Sequence, residues 1–272
     1  MHTYKEDARI NWYGNRLLLA RAYLYMGNNG KAYEVAADLI SKAEADKNYG
    51  LVPAERYQAM WESDVCPEFL FVLINNADEV SNSKEFIGYL THRSGYDDLA
   101  LSSDYINLLD EDPKDERHKI IDKYKPKSYR WYLKKYNYPT YKYANIPVLR
   151  LAEAYLIAAE AAVKLDDKIN ATLYLNRIVQ RANPKKEVTA EEISLERVLK
   201  ERRKELVGEG HRLFDAMRNN QTIERKGTSH NSDLLLPETR KYDWNYYKIV
   251  LPIPQSEINV NPNMVQNEGY GK

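Results

Sequence analysis

Two separate stretches of this chain place a small residue on one apolar helix twelve positions ahead of a small residue on the next: Ala20 and Ala32, then Ala159 and Ala171. That spacing lets two antiparallel helices approach closely and matches the packing alanines of a tetratricopeptide hairpin. Around the first pair, Leu17-Leu18-Leu19-Ala20-Arg21-Ala22-Tyr23-Leu24-Tyr25-Met26 is apolar almost all round, which predicts a helix buried on most sides. Gly27-Asn28-Asn29-Gly30 stops it, and Ala32, Val35, Ala36 and Leu39 recur at helical spacing in its partner. A helical hairpin is expected over 9–47.

Around the second pair, Pro147 is expected in the first turn of a helix, where its missing N–H does no harm. The helix continues from Val148 to Ala162, and Asp166-Asp167 breaks it. Ala171, Leu175 and Ile178 then face inward from the partner helix. A third, weaker unit opens on Thr189-Ala190-Glu191-Glu192, which reads as a capping box. Gly208-Glu209-Gly210 interrupts it before a short helix from His211 to Arg218. These hairpins occupy 146–220.

Ala20 and Ala159 lie 139 residues apart, so the hairpins are not in tandem. A repeat array needs adjacent units to share one core. The prediction is therefore a mainly α fold, an α-α superhelix of tetratricopeptide-like hairpins. It forms a single domain over 1–272 that carries a loop-rich insertion at 48–145 and ends in an extended Pro-rich segment at 221–272. Within the insertion, Phe69 to Ile74 reads as a short buried strand, 75–104 as loops and Asp104 to Leu109 as a helical turn. In the last segment, the alternate prolines of Leu251-Pro252-Ile253-Pro254 exclude helix and central strand. Its apolar Ile249, Val250, Leu251 and Ile253 predict a tail packed over the helices.

Composition narrows the function. Lys+Arg and Asp+Glu number 40 each, so nucleic acid is not expected as the main partner. Cys66 is the sole cysteine, which rules out an internal disulfide and a Cys-based zinc site. The start Met1-His2-Thr3-Tyr4-Lys5-Glu6-Asp7 has no apolar signal region, and no apolar run reaches the length of a membrane span. Nucleophile elbow, phosphate loop, dinucleotide fingerprint and paired-histidine metal motif are all lacking. No catalytic residue, metal or cofactor is assigned, and the chain is read as not an enzyme. The many carboxylates leave a glycoside hydrolase open as an alternative. The helical charges Arg150, Glu153, Glu160, Glu201, Arg202, Glu205, Glu209, Arg212, Asp215 and Arg218 read as ion pairs joining neighbouring hairpins.

Tyrosine outnumbers phenylalanine 23 to 4, a preference for rings with a polar tip. The densest run, Tyr124 to Tyr143, also holds Trp131 and is interleaved with lysines. It reads either as a Tyr-rich β-hairpin with cross-strand pairs or as a ligand platform. A sugar offers a face of C–H groups to a ring and a rim of hydroxyls to polar tips. Trp131, Tyr129 and Tyr132 are the first choices for stacking, with Trp61 and Tyr96 second.

Several blocks resemble the SusD/RagB family of surface glycan-binding lipoproteins. They are Arg16 to Ile40; Ile146-Pro147-Val148-Leu149-Arg150-Leu151-Ala152-Glu153-Ala154-Tyr155 on to Arg181-Ala182; and Glu201-Arg202-Arg203-Lys204-Glu205-Leu206 with Glu209-Gly210-His211-Arg212 and Asp215-Ala216-Met217-Arg218. The last runs from Leu251-Pro252-Ile253-Pro254-Gln255-Ser256-Glu257-Ile258 through Asn261-Pro262-Asn263 to Gln266-Asn267-Glu268-Gly269-Tyr270. The resemblance implies helical pairs supporting a loop-rich, ligand-facing region, with no catalysis. It implies an oligosaccharide or polysaccharide ligand, a SusC-like TonB-dependent transporter as partner, and a surface-exposed outer-membrane lipoprotein. Contact with the membrane would be through a lipid anchor alone. The family's signal peptide, lipid-acceptor cysteine and earlier helical repeat have no counterpart, so the chain is expected to lack the native N-terminal part and to be soluble by itself. The family's motifs are scaffold motifs, so the ring assignments rest on the stacking argument. The remaining alternative is a tetratricopeptide-type scaffold that grips a peptide.

Overall fold

The computed structural model describes residues 9–63, 65–78, 82–96, 98–123, 130–225, 236 and 239–270. The first hairpin is α1 (Trp12–Tyr25) and α2 (Asn29–Ala45), joined by a turn in which Gly27 adopts φ +73°. Asn11 and Asn28 cap the two helices by accepting from Gly14 N at 2.9 Å and Lys31 N at 3.1 Å. The second hairpin is α5 (Leu151–Lys164) and α6 (Lys168–Ala182), the latter capped by Asp167. Ala20, Ala32, Ala159 and Ala171 are all fully buried, as the twelve-residue spacing predicts. Twelve consecutive residues of α5, Leu151 to Ala162, are buried, so this helix is the axis on which the others pack. A third pair follows, α7 (Leu195–Glu205) and α8 (His211–Arg218).

Two local readings need correction. Pro147 does not open a helix: it lies in β4 (Ile146–Arg150), which pairs antiparallel with β1 (Phe69–Leu73) and sets Pro147 opposite Val72. A two-stranded sheet has only edge strands, where a residue without an N–H is tolerated. Thr189 to Glu192 forms a turn and not a helix start. Thr189 N donates to Glu192 Oε2 at 3.0 Å, and the helix begins later, capped by the Ser194 side chain accepting from Arg197 N at 3.1 Å.

The insertion carries α3 (Ile87–Thr91), α4 (Ser103–Asp110), and an antiparallel pair, β2 (Ile121–Lys123) with β3 (Trp131–Leu133). Its apolar residues form a second core around Tyr57, Trp61, Phe69, Leu109 and Tyr136, separate from the helical core around α5. The C-terminal segment holds a short pair, β5 (Ile223–Glu224) with β6 (Lys241–Tyr242), and α9 (Gln255–Val260). The expectation that this tail packs over the helices fails. None of residues 239–270 is buried, and Leu251 is 78% exposed. The segment instead closes on itself: Ile253 N donates to Gln266 Oε1 at 2.8 Å, Gln266 Nε2 to Ile253 O at 2.9 Å, and Asn267 Nδ2 to Leu251 O at 2.7 Å.

Most of the helical charges form the expected web; Arg212 instead lies exposed and donates to Gln221 Oε1 at 2.8 Å. Arg150 Nη1 lies 2.6 Å from Glu68, its Nη2 3.1 Å from Glu205 and its Nε 2.8 Å from Glu209. Arg181 bridges Glu68 and Glu205, and Arg117 bridges Asp115 and Glu201. A second knot joins Arg202, Arg218, Asp215 and Glu160. Every side chain of the web is nearly or fully enclosed, so the web is mortar between hairpins and between the two cores.

Candidate ligand-binding site

A loop that folds onto a flat neighbour can fan its rings outward, and α3 does so by virtue of two glycines. A Cβ at Gly88 would run into the carbonyls of Tyr136 and Tyr141. At Gly95 it would strike the carbonyl of Tyr89, the group that accepts from Tyr96 N at 2.9 Å. With hydrogen at both places, residues 88–96 close on themselves and lie flush on the 136–141 segment.

The result is a shelf of four rings. Tyr89 stands edge-on to Tyr96, with centroids 5.1 Å apart at 76°, and 5.6 Å from Tyr141. His92 stacks flat on Tyr141 at 4.2 Å and 6°. Tyr96 is 49% exposed, and Tyr89, His92 and Tyr141 are half-buried. His92 Nδ1 takes the Ser94 N–H at 3.0 Å, which leaves the ring proton of the neutral form on Nε2. Burial and the adjacent Arg93 charge hold the His92 pKa below its ordinary value, so the stacked ring is neutral at pH 7. Arg93 reaches Asp122 at 3.7 Å, and this ties the shelf to β2, where Lys123 Nζ sits 5.5 Å from the centre of the Trp131 ring. Such a surface can stack on sugar C–H faces while phenol and imidazole tips meet hydroxyls.

The rings chosen from sequence divide. Tyr96 is on the shelf, whereas half-buried Trp131 packs against the second core with Lys123 over its ring. Trp61 is only 4% exposed, and its ring is already occupied by protein cations: Lys135 Nζ at 4.6 Å and Arg150 Cζ at 5.0 Å from the centroid. It cannot present a face to a ligand. Tyr132 is 3% exposed: the pleat of β3 sets it on the face opposite Trp131 and Leu133, which pack on the second core, and its own face is covered as well. Tyr129 lies outside the described residues. Sequence reasoning missed Tyr89 and His92, and left Tyr141 within the aromatic run without choosing it. The available signal was the repeated dipeptide Gly88-Tyr89 and Gly95-Tyr96 in a stretch read only as loop.

A cleft of about 830 Å³ opens between Leu99–Tyr105, α7, α8 and β5. Its charges are largely spoken for: Arg203 pairs with Asp104 at 2.5 Å and Arg202 with Asp215 at 3.0 Å. Among the described residues no group of three or more His, Cys, Asp or Glu side chains is placed to hold a metal ion, and no helix is long and apolar enough to cross a membrane.

Comparison with known proteins gives one consistent answer. The model of the SusD family matches residues 123–270. The starch-binding protein SusD of Bacteroides thetaiotaomicron is 34% identical over 149 residues, which cover 53% of this chain and 25% of that protein. A crystal structure of a SusD superfamily protein from Bacteroides vulgatus superposes with a TM-score of 0.88 at 42% identity, over 98% of this chain and 61% of that one. A second, from Bacteroides thetaiotaomicron, gives 0.84 at 36% identity, over 96% of this chain and 61% of that one. The chain thus spans a quarter of the curated relative and about three fifths of the solved ones.

Proposed function

The chain belongs to the SusD family, and on that premise we propose that it is a cell-surface glycan-binding subunit of an outer-membrane nutrient uptake system. It captures an oligosaccharide and delivers it to a TonB-dependent transporter of the SusC type. It is held at the outer surface by a lipid anchor and performs no chemistry on its ligand. The observation that carries this reading is the solvent-open shelf of Tyr89, His92, Tyr96 and Tyr141 on the loop-rich insertion. Starch binding by a relative 34% identical to part of this chain supports the ligand class.

Calorimetry against a panel of oligosaccharides tests it. At least one glycan should bind, and Tyr96→Ala with Tyr141→Ala should weaken that binding by roughly tenfold or more, each ring contributing about 1 kcal/mol. Equal affinity in the double variant, with its fold intact by circular dichroism, would remove the shelf from the site. Incubation with the bound glycan should leave its chain length unchanged; shortening would restore the glycoside hydrolase reading.

A further inference from the structure

The chain is electrically neutral overall, yet its charges are not evenly spread. Between Asp122 and Glu153 there is no Asp or Glu at all, while Lys123, Lys125, Lys127, Arg130, Lys134, Lys135, Lys142 and Arg150 fall in that interval. Two of these eight cations are consumed indoors: Lys135 pairs with Glu209 at 2.5 Å, and Arg150 with its three carboxylates. Lys125 and Lys127 lie outside the described residues. The others are at the surface, on the strand and the segment that border and underlie the ring shelf.

Lys84 adds to them from the other side, its Nζ 5.9 Å from the Tyr96 ring centre, as Lys123 does over Trp131 at 5.5 Å. No ion pair among the described residues engages Lys84, Lys123, Lys134 or Lys142. Of the acids near the shelf, Asp122 is neutralised by Arg93, while Glu85 and Asp98 lie exposed on the shelf's own loop. With no acid between Asp122 and Glu153, the strand and segment beside the ring shelf therefore carry more positive than negative charge.

We propose that the shelf selects negatively charged glycans, with sugar rings stacked on Tyr96 and Tyr141 and acid groups of the same chain met by Lys84, Lys123 and Lys142. The proposal rests on the glycan-binding reading above and narrows its ligand class. Lysine ammonium groups are point charges without the forked geometry that sorts one oxyanion from another, so the shared chemistry is a repeated anionic charge, carboxylate or sulfate ester. Charge at this rim also speeds encounter with a polyanion and makes binding sensitive to salt.

The test compares polygalacturonate with its fully methyl-esterified form, which keeps the backbone and removes the charge, and adds dextran sulfate, dextran and single-stranded DNA. The acid polymer should bind roughly tenfold or more tightly than its ester, and that gap should close between about 50 and 500 mM NaCl as screening shortens the charge's reach. A Lys84→Gln, Lys123→Gln, Lys142→Gln variant should lose the gap, whereas Tyr96→Ala should weaken the charged and the neutral polymer together. Preference for dextran sulfate over dextran, without one for polygalacturonate, would assign the charge to sulfate esters. Equal binding of each charged polymer and its neutral counterpart, or an unchanged gap in the lysine variant, would overturn the proposal but leave glycan binding standing. DNA binding as tight as the acid glycan would overturn it as mere polyanion attraction. Failure of every glycan, charged and neutral, would overturn the underlying reading as well.

Discussion

Arg150 touches Glu68, Glu205 and Glu209 at once, within 3.1 Å of each, and none of the four side chains has appreciable access to water. Replacing one partner of such a group strands the others as uncompensated buried charge. Arg150→Met should therefore cost about 3–5 kcal/mol, read as a lower urea midpoint. The same web sets an acid limit. Burial pushes the Glu205 carboxyl up, but Arg181, Arg150 and Arg117 together pull it down further, to about 2, and Arg202 and Arg218 bring Asp215 to about 2 against its own burial. A carboxylate held below its unfolded value stabilises the fold fully above that value, about 4, and ceases to do so as pH falls toward its folded value. Thermal melting points should thus be level from about pH 7 to 5 and drop steeply between about pH 4 and 2. A melting point that stays flat to pH 2 would show the web to be energetically inert. Part of the web was legible in the sequence, where acid and base recur along the helices, as Arg202 and Asp215 do; Glu68, Asp115, Arg117 and Arg181, which complete it, were not. The fate of Trp61 was not: the cations that cover its face come from distant β4 and from Lys135, and no local pattern records such a meeting.

Helices α1 and α5 show how far spacing alone carries a reading. Ala20 and Ala159 are small because another helix lies directly against them, and both are fully buried. Ala159→Leu should force α6 away and cost about 1–3 kcal/mol by overpacking, measurable by denaturant titration. The strands were less legible. Pro147 carries the same missing N–H at a helix start and on an edge strand, so only the partner strand β1, far away in sequence, decides between them. The ring shelf depends on an element of five residues, α3, too short to announce itself by periodicity. Its stability comes from two positions without a Cβ. Gly95→Ala should therefore disorder the loop and abolish glycan binding with little change in helical circular dichroism, while Gly30→Ala, which meets open space, should leave binding intact.

At the scale of the molecule, two apolar cores are fastened together by charge. Glu68 comes from just before β1, Arg117 from the insertion, and Glu201 and Glu205 from α7, so the knot spans both cores. The two should melt as one: in a Trp12→Phe, Trp244→Phe variant, tryptophan fluorescence reports on Trp61 and Trp131 in the insertion core and should trace the same urea transition as far-UV circular dichroism, which reports on the helices. Two separated transitions would mean that the insertion folds independently. The architecture was legible from the alanine spacing and the interruption between the hairpins. The proposed ligand surface was legible only as a region, because which ring faces outward is settled by contacts among residues far apart in the chain.

The tail offers a different kind of consequence. Residues 250–270 are clipped across their base, Ile253 to Gln266, Leu251 to Asn267 and Val250 to the Tyr270 hydroxyl at 2.9 Å, with α9 and its following turn exposed at the tip. A protease that cuts at that tip leaves the last residues held only by these surface hydrogen bonds, each contributing about 1 kcal/mol, so the short end should be released and the nicked protein should run as a shortened species under native conditions.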